Sequence, residues 1–312
     1  MKSYISFPSK QEGVIAVTIT LFFAILTGIL VGFRAEHVGI ILPILTFFFI
    51  NAKSRKLIVG LLPLIIFAVS YDWMRIYPNY MVNPINIEGI YNLEKEWFGV
   101  NIETGRLIWS EYFAIHHSSI VDFFAGIFYL GWVPIPIAFA LYLYFKKDYN
   151  IFLRFLIVFL LVNLIGFTGY YIHPAAPPWY VMNYGFDAIM DTPGNVAGLG
   201  RFDELTGLSI FENLYGRNSN VFAAVPSLHS AYLVVVLYYA IIKKCHPFLI
   251  TFVSVFLLGI WFTAVYSAHH YIIDVILGAL CSVLGIILFE KGFMKIPKFK
   301  SFLSKYTDYI KQ

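Results

Sequence analysis

A succession of long apolar segments, separated by charged connections, most narrows what this chain can fold into. Eight can be drawn, near residues 13–33, 37–52, 56–72, 119–145, 149–172, 227–243, 247–267 and 270–290. Backbone in hydrocarbon must satisfy its own hydrogen bonds, so such segments become helices. With 59% hydrophobic and only 13% charged residues, the chain reads as an all-α polytopic membrane protein of about eight transmembrane helices. The first segment, from about Val14, is long and lacks a small-residue cleavage site, so it reads as a retained span. The second and third are short for a bilayer of about 30 Å. A re-entrant hairpin there would leave Lys53, Arg55 and Lys56 inside the bilayer, which argues against it.

The charges set the orientation. One set of connections carries Lys53, Arg55 and Lys56, then Lys146, Lys147 and Arg154, then Lys243 and Lys244. The N-terminus carries Lys2 and Lys10, and the tail carries Lys291, Lys295, Lys298, Lys300 and Lys305. The alternate connections are mixed or acidic. Both termini are therefore expected in the cytoplasm. The net charge of +4 marks cytoplasmic loops and not a nucleic-acid surface. Cys245 sits at a basic helix end and Cys281 inside an apolar run, so no disulfide is expected.

This division gives N-terminal transmembrane helices over 1–72 and a non-cytoplasmic interfacial segment over 73–118. A catalytic transmembrane core over 119–290 holds a capping loop at 173–226, and a basic cytoplasmic tail covers 291–312. Within the interfacial segment, Asn92 is positioned to cap a short helix starting at Leu93. The capping loop is rich in Pro, Gly and Asn, and loops of that length are usually functional or disordered.

Three polar clusters fall at the ends of separate spans on one side of the membrane. They are His173 through Tyr180, Val225 through Ser230, and His269-His270-Tyr271-Ile272-Ile273-Asp274. His270 and Asp274 are four residues apart and share a helix face. A carboxylate beside an imidazole fixes its tautomer and raises its basicity. His270 is thus a candidate nucleophile, Asp274 its holder and His229 the acid for a departing oxygen. Ser227 fits a helix cap, and the free N–H groups behind it fit an anion site, which points to phosphoryl chemistry. A zinc site on His229, His270 and a carboxylate is the weaker alternative; neither metal nor other cofactor is expected. The plainer readings stand beside these. Pro177-Pro178 would end the fifth helix in any case, Trp179-Tyr180 would suit an interfacial belt, and His116 and His117 read as loop residues. Asp72 and Arg75 would make an ordinary ion pair.

At these residues the chain resembles a known family. Pro226-Ser227-Leu228-His229-Ser230 and His270-Tyr271-x-x-Asp274-Val275-x-x-Gly278 resemble the second and third signatures of the type 2 phosphatidic acid phosphatase (PAP2) superfamily. Ala176-Pro177-Pro178-Trp179-Tyr180 and the paired His269-His270 resemble its branch of inositol phosphorylceramide synthases. Tyr71-Asp72-x-x-Arg75 and Asn92-Leu93-Glu94 resemble that branch more weakly. The resemblance implies a PAP2-like helical core and a phosphohistidine at His270, with Asp274 as partner and His229 as acid. The substrate contacts expected are His173, Trp179, Tyr180, Ser227, His269, Arg75 and Arg217. Leu228 stands where the phosphatases carry Gly, and Thr263-Ala264 stand where they carry Arg. Phosphate charge must then be met by Arg75, Arg106, Arg201, Arg217 or His173.

These departures favour transfer over hydrolysis. The expected activity is movement of phosphoinositol from phosphatidylinositol to a ceramide-type lipid alcohol, both partners arriving through the bilayer. A lipid phosphate or polyprenyl diphosphate phosphatase is the alternative. A lipid transporter or scramblase is the alternative of another class, and it would call for inverted repeats or mid-span charges that the chain lacks. The expected location is a prokaryotic plasma membrane with the site on the non-cytoplasmic face; a Golgi membrane with a lumenal site is the alternative.

Overall fold

A computed structural model of the chain describes residues 6–216 and 220–311. It is helical almost throughout. The N-terminal part holds α1 (Lys10–Leu30), α2 (Ala35–Ile50), α3 (Ala52–Gly60) and α4 (Leu62–Trp73). Ser9 starts α1 with a reciprocal cap: its hydroxyl accepts the Glu12 N–H and the Glu12 carboxylate accepts the Ser9 N–H. The axis bends by 52° between α3 and the helix that continues from Leu62 to Ile76. Pro63, which lacks an N–H, lies at that restart. Arg55, expected in an aqueous connection, is buried instead. Its guanidinium donates to the Phe48 and Ser6 carbonyls, both at 3.3 Å, and lies over the Phe48 ring.

The next segment holds α5 (Glu88–Phe98), a hairpin of antiparallel β1 (Val100–Ile102) and β2 (Gly105–Leu107), and α6 (Trp109–Ile115). The helix expected to start behind Asn92 starts at Glu88, and Asn92 lies within it. The side chain that accepts from its first turn is Asn86, whose Oδ1 takes the Ile90 N–H at 3.0 Å.

The core is built from α7 (Ser119–Leu130), α8 (Pro134–Phe145) and α9 (Tyr149–Ile172). A cap follows, holding α10 (Pro178–Tyr184), α11 (Gly200–Thr206) and α12 (Ile210–Tyr215). Then come α13 (Leu228–Ile242), α14 (Pro247–Tyr266), α15 (Ile272–Ile287) and α16 (Pro297–Lys311). The helices α7 and α8 are bent by 43°, with Pro134 and Pro136 opening the second. By length and composition, four helices can cross a membrane alone and up to six spans result if each bent pair is one. The shorter apolar helices Ala35–Ile50 and Leu228–Ile242 occupy the two remaining segments drawn from the sequence. The chain is an integral membrane protein, with four to six spans on these criteria where eight were expected.

Small residues bring the core helices together, as is usual where lipid removes the hydrophobic drive for association. A Cβ on Gly278 of α15 would lie 1.9 Å from the Ser227 carbonyl oxygen and 2.2 Å from Ser230 Oγ. Ser230 Oγ reaches both the Ser227 and Val275 carbonyls, at 2.8 and 2.9 Å. Ser282 Oγ donates to the Ala231 carbonyl at 2.7 Å, and Trp261 Nε1 donates to the Ser230 carbonyl at 2.9 Å. These bonds hold α13 against α15 on one side and α14 on the other.

The two ends of the bundle differ. At one end Lys243 pairs with Asp148 at 2.6 Å, Tyr144 donates to the Lys53 carbonyl at 3.2 Å, and Arg154 donates to Glu290, which also accepts from Tyr239 at 2.7 Å. The tail is not a loose basic segment there. It forms α16, with Leu303 and Ile310 buried and Tyr306 donating to the Val59 carbonyl. At the other end the last turns of α9 and α14 meet the first turns of α13 and α15.

Candidate active site

The turn between α14 and α15 sets the geometry. Ala268 adopts a left-handed conformation (φ 61°) and ends α14. The amides of His269 and His270 both return to the Ala264 carbonyl, at 3.1 and 2.9 Å. The cap is tied to the same turn: Trp179 N–H donates to the Ala268 carbonyl at 2.9 Å and Gly198 N–H to the Ser267 carbonyl at 3.0 Å. The paired histidines are thus held by backbone on both sides.

The first turn of α15 is satisfied by two carboxylates. Asp274 Oδ2 accepts the Tyr271 N–H at 2.9 Å. Glu94, buried on α5, accepts the Ile272 and Ile273 N–H groups at 2.9 and 3.1 Å. Burial pushes the Glu94 carboxyl up to about 7, with the Asp274 charge adding to the rise and the two N–H bonds opposing it. No local sequence signal tied Glu94 to this helix.

His270 Nδ1 lies 3.4 Å from Asp274 Oδ2, a long contact, and its Nε2 lies 3.1 Å from His229 Nδ1. With Nδ1–H directed at Asp274, Nε2 presents a lone pair that accepts the His229 proton. His229, on the first turn of α13, stacks on Tyr129 (ring centroids 5.2 Å) and meets the edge of Trp132 at 4.6 Å. The pair opens on a cavity of about 240 Å³ lined chiefly by aromatic and apolar groups, including Phe67, Trp132, Trp179 and Tyr215. No Lys or Arg lines it among the described residues. Nor do three His, Cys, Asp or Glu side chains converge as a metal-ligand set among those residues.

The other sequence candidates fall in several places. Trp179 and His269 line the cavity. Tyr180 is fully buried within the cap, where its hydroxyl donates to the Asp187 carbonyl at 2.7 Å and accepts the Ile189 N–H at 2.8 Å. Ser227 caps α13, as its position suggested, and its own N–H donates to the Asp274 carbonyl at 3.0 Å. It joins the two site helices behind the cavity wall. His173 lies 3.1 Å from Asn86 Nδ2 and borders a separate apolar groove between α9 and α15. Arg75 joins an ion cluster in which Asp72 also meets Arg34 and His37. Arg201 donates to Asp122 at 2.6 Å and covers the Tyr266 ring, and Arg106 donates to the Glu96 carbonyl at 2.8 Å. Arg217 lies outside the described residues. Tyr129, Trp132, Asn195, Tyr215 and Asn220 surround or line the site and were not singled out in the sequence. They are aromatic or amide residues in a chain with 22 Tyr and 6 Trp, so nothing local marks them.

The PAP2 superfamily model matches residues 96–288, and the chain belongs to that superfamily. It is 59% identical over 305 residues to the phosphoinositol dihydroceramide synthase of Bacteroides thetaiotaomicron, a match covering 97% of this chain and all of that protein. It is 28% identical over 257 residues to the catalytic subunit of inositol phosphorylceramide synthase from Saccharomyces cerevisiae, covering 80% of this chain and 58% of the yeast subunit. The inositol phosphorylceramide synthase of Candida albicans is 34% identical over 125 residues, 39% of this chain and 26% of that protein. No solved structure matches.

Proposed function

We propose that this protein is a phosphotransferase that moves phosphoinositol from phosphatidylinositol to a ceramide-type alcohol, releasing diacylglycerol, through a phosphohistidine at His270. The observation that carries the reading is the 3.1 Å contact of His270 Nε2 with His229 Nδ1 at the wall of an apolar cavity. The names of the relatives give the head group and the acceptor class.

The first step uses the His270 Nε2 lone pair. It leaves its contact with His229 and attacks phosphorus, the bond from phosphorus to the diacylglycerol oxygen breaks, and that oxygen takes a proton from His229, which enters the step as the imidazolium beside the anionic phosphate. Asp274 steadies the positive charge on the His270 ring through Nδ1–H. In the second step the acceptor hydroxyl gives its proton to His229 and attacks phosphorus. The phosphorus–nitrogen bond breaks and His270 is restored. Phosphate charge is met by the imidazoles and by the positive end of α13, whose first turn carries His229. Arg75, Arg106 and Arg201 are held by other partners.

Transfer rather than hydrolysis is supported by the cap. Pro177, Trp179, Leu214 and Val221 wall the cavity and limit the entry of water. The proposed site faces away from the cytoplasm, in a prokaryotic plasma membrane. The gathering of Lys53, Lys243 and their partners at the other end supports that side.

The test is the purified protein in vesicles with phosphatidylinositol labelled in its phosphate, with and without ceramide. The expected result is label in a new lipid product that appears only with ceramide. Label found only in water-soluble product, whatever the acceptor, would make the protein a phosphatase.

A further inference from the structure

The second histidine of the pair has a tautomer that the hydrogen bonding determines. His269 Nδ1 lies 3.0 Å from Ser267 Oγ. The single proton of that hydroxyl is given to the Thr263 carbonyl at 2.7 Å. Ser267 can therefore only accept from the ring, so Nδ1 carries the hydrogen and Nε2 is left as a lone pair. Nε2 is buried without a well-formed hydrogen bond, with the Asn195 backbone close to the ring. His269 lines the cavity beside His270.

Tyr215 completes the feature. Its ring lies 4.3 Å from the His269 ring, it lines the same cavity, and its buried hydroxyl lies near that of Tyr129 without a well-formed hydrogen bond. Tyr129 lies behind both, 5.8 Å from His269, with its buried hydroxyl beside that of Tyr215. Buried polar groups are nearly always paired, so such a group on a cavity wall calls for a ligand or an ordered water. The chemistry of the set is specific. A phosphate oxygen accepts hydrogen bonds and gains nothing from the Nε2 lone pair. A ligand hydroxyl donates to Nε2 and accepts from the tyrosine hydroxyl at once.

We infer that His269 Nε2 and the Tyr215 hydroxyl form a subsite for a hydroxyl of the polyol head group, which selects the donor lipid. The inference rests on the transferase reading and deepens it. A quaternary ammonium head group presents no hydroxyl to this subsite and would leave both groups unpaired. His269 is on this view a specificity-determining residue, while bond making stays with His270 and His229.

The experiment measures KM and kcat for phosphatidylinositol and for ceramide separately, in wild type, His269→Leu, His269→Gln and Tyr215→Phe. His269→Leu should raise KM for phosphatidylinositol roughly ten- to hundredfold, the worth of a hydrogen bond in a buried site, with KM for ceramide unchanged. His269→Gln, which returns a carbonyl acceptor, should recover part of that loss. Tyr215→Phe keeps the ring and its packing and removes only the hydroxyl, so it should raise KM for phosphatidylinositol with the ceramide KM unchanged. Free myo-inositol should inhibit the wild type competitively against phosphatidylinositol and inhibit His269→Leu more weakly. A rise confined to the ceramide KM would overturn the inference and assign the subsite to the acceptor hydroxyl. A fall in kcat alone, with both KM values unchanged and Gln no better than Leu, would also overturn it. Absence of any lipid product from the wild type would instead overturn the transferase reading.

Discussion

Glu94 caps the helix that carries Asp274, although the residues it binds lie about 180 positions further along the chain. Its two carboxylate oxygens take the N–H groups of Ile272 and Ile273, next in line after the Tyr271 N–H held by Asp274. A carboxylate at a helix N-terminus is favoured by the helix dipole and by the free donors there. This one is buried, and burial pushes its pKa up to about 7. In the unfolded chain it titrates near the ordinary value of 4.5. Between those values the folded protein holds the extra proton, so stability is fully present below about 4.5 and is lost as pH rises towards and through about 7. A shift of this size corresponds to about 3 kcal/mol. Thermal melting in detergent should show the midpoint falling over that interval. Glu94→Gln should flatten this part of the profile, since it cannot ionise. It also keeps only one oxygen for two donors, so turnover should fall as the first turn of α15 loosens.

The phosphohistidine makes its own prediction. With labelled phosphatidylinositol and no acceptor, acid-labile, base-stable phosphate should accumulate on the protein and disappear on adding ceramide. His270→Asn should carry no label and no activity. Asp274→Asn keeps the shape but removes the charge behind Nδ1, and should lose about 10³- to 10⁴-fold in kcat. His229→Gln should lose about 10²- to 10⁴-fold, the usual worth of a positioned proton donor. Label persisting in His270→Asn would move the nucleophile to another residue.

Backbone strain at Ala268 gives a prediction of the opposite sign. A left-handed conformation costs a residue with a Cβ roughly 1 kcal/mol, and glycine adopts it freely. Ala268→Gly should therefore stabilise the folded protein by up to about 1 kcal/mol, partly offset by the greater freedom of glycine when unfolded. A melting midpoint at or below the wild-type value would show that the turn is held at no cost.

The residues that were legible in the sequence are those whose chemistry follows a short spacing. His270 and Asp274 declare themselves at four residues apart, and Ser227 as a cap in front of an apolar helix. The segments were legible for the same reason, since hydropathy is local. The Asn92-Leu93-Glu94 block stood out only by resemblance, and the role of Glu94 did not show, because its partners are Ile272 and Ile273 and no periodicity links them. Tyr129 and Tyr215 were not legible, because a buried tyrosine in an aromatic-rich chain looks like any other until the fold sets it beside the paired histidines. Asn92 misled because a good cap residue also fits inside a helix, while Asn86 serves that end of α5. The tail read as charge because its lysines are conspicuous. The buried Leu303 and Ile310 that dock α16 are spaced at a helical interval of seven.

Gly278 offers the most direct test of how closely the two site helices must approach. It lies one turn beyond Asp274, where α15 passes the cap of α13, and its absent side chain leaves room for the Ser227 carbonyl and Ser230 hydroxyl. A methyl group there would sit 1.9 Å from the Ser227 oxygen, which is backbone and cannot rotate away. The helices must separate, and separation draws His229 on α13 away from His270 at the head of α15, whose rings are now joined at 3.1 Å. Gly278→Ala should therefore cost about 3 kcal/mol of stability, the upper part of the range for overpacking. It should cost activity even in the fraction that remains folded. Melting in detergent gives the first number, and turnover per folded molecule, counted by a gel-filtration peak, gives the second. Normal turnover per folded molecule would show that the contact between the two imidazoles survives a shift of the helices that carry them.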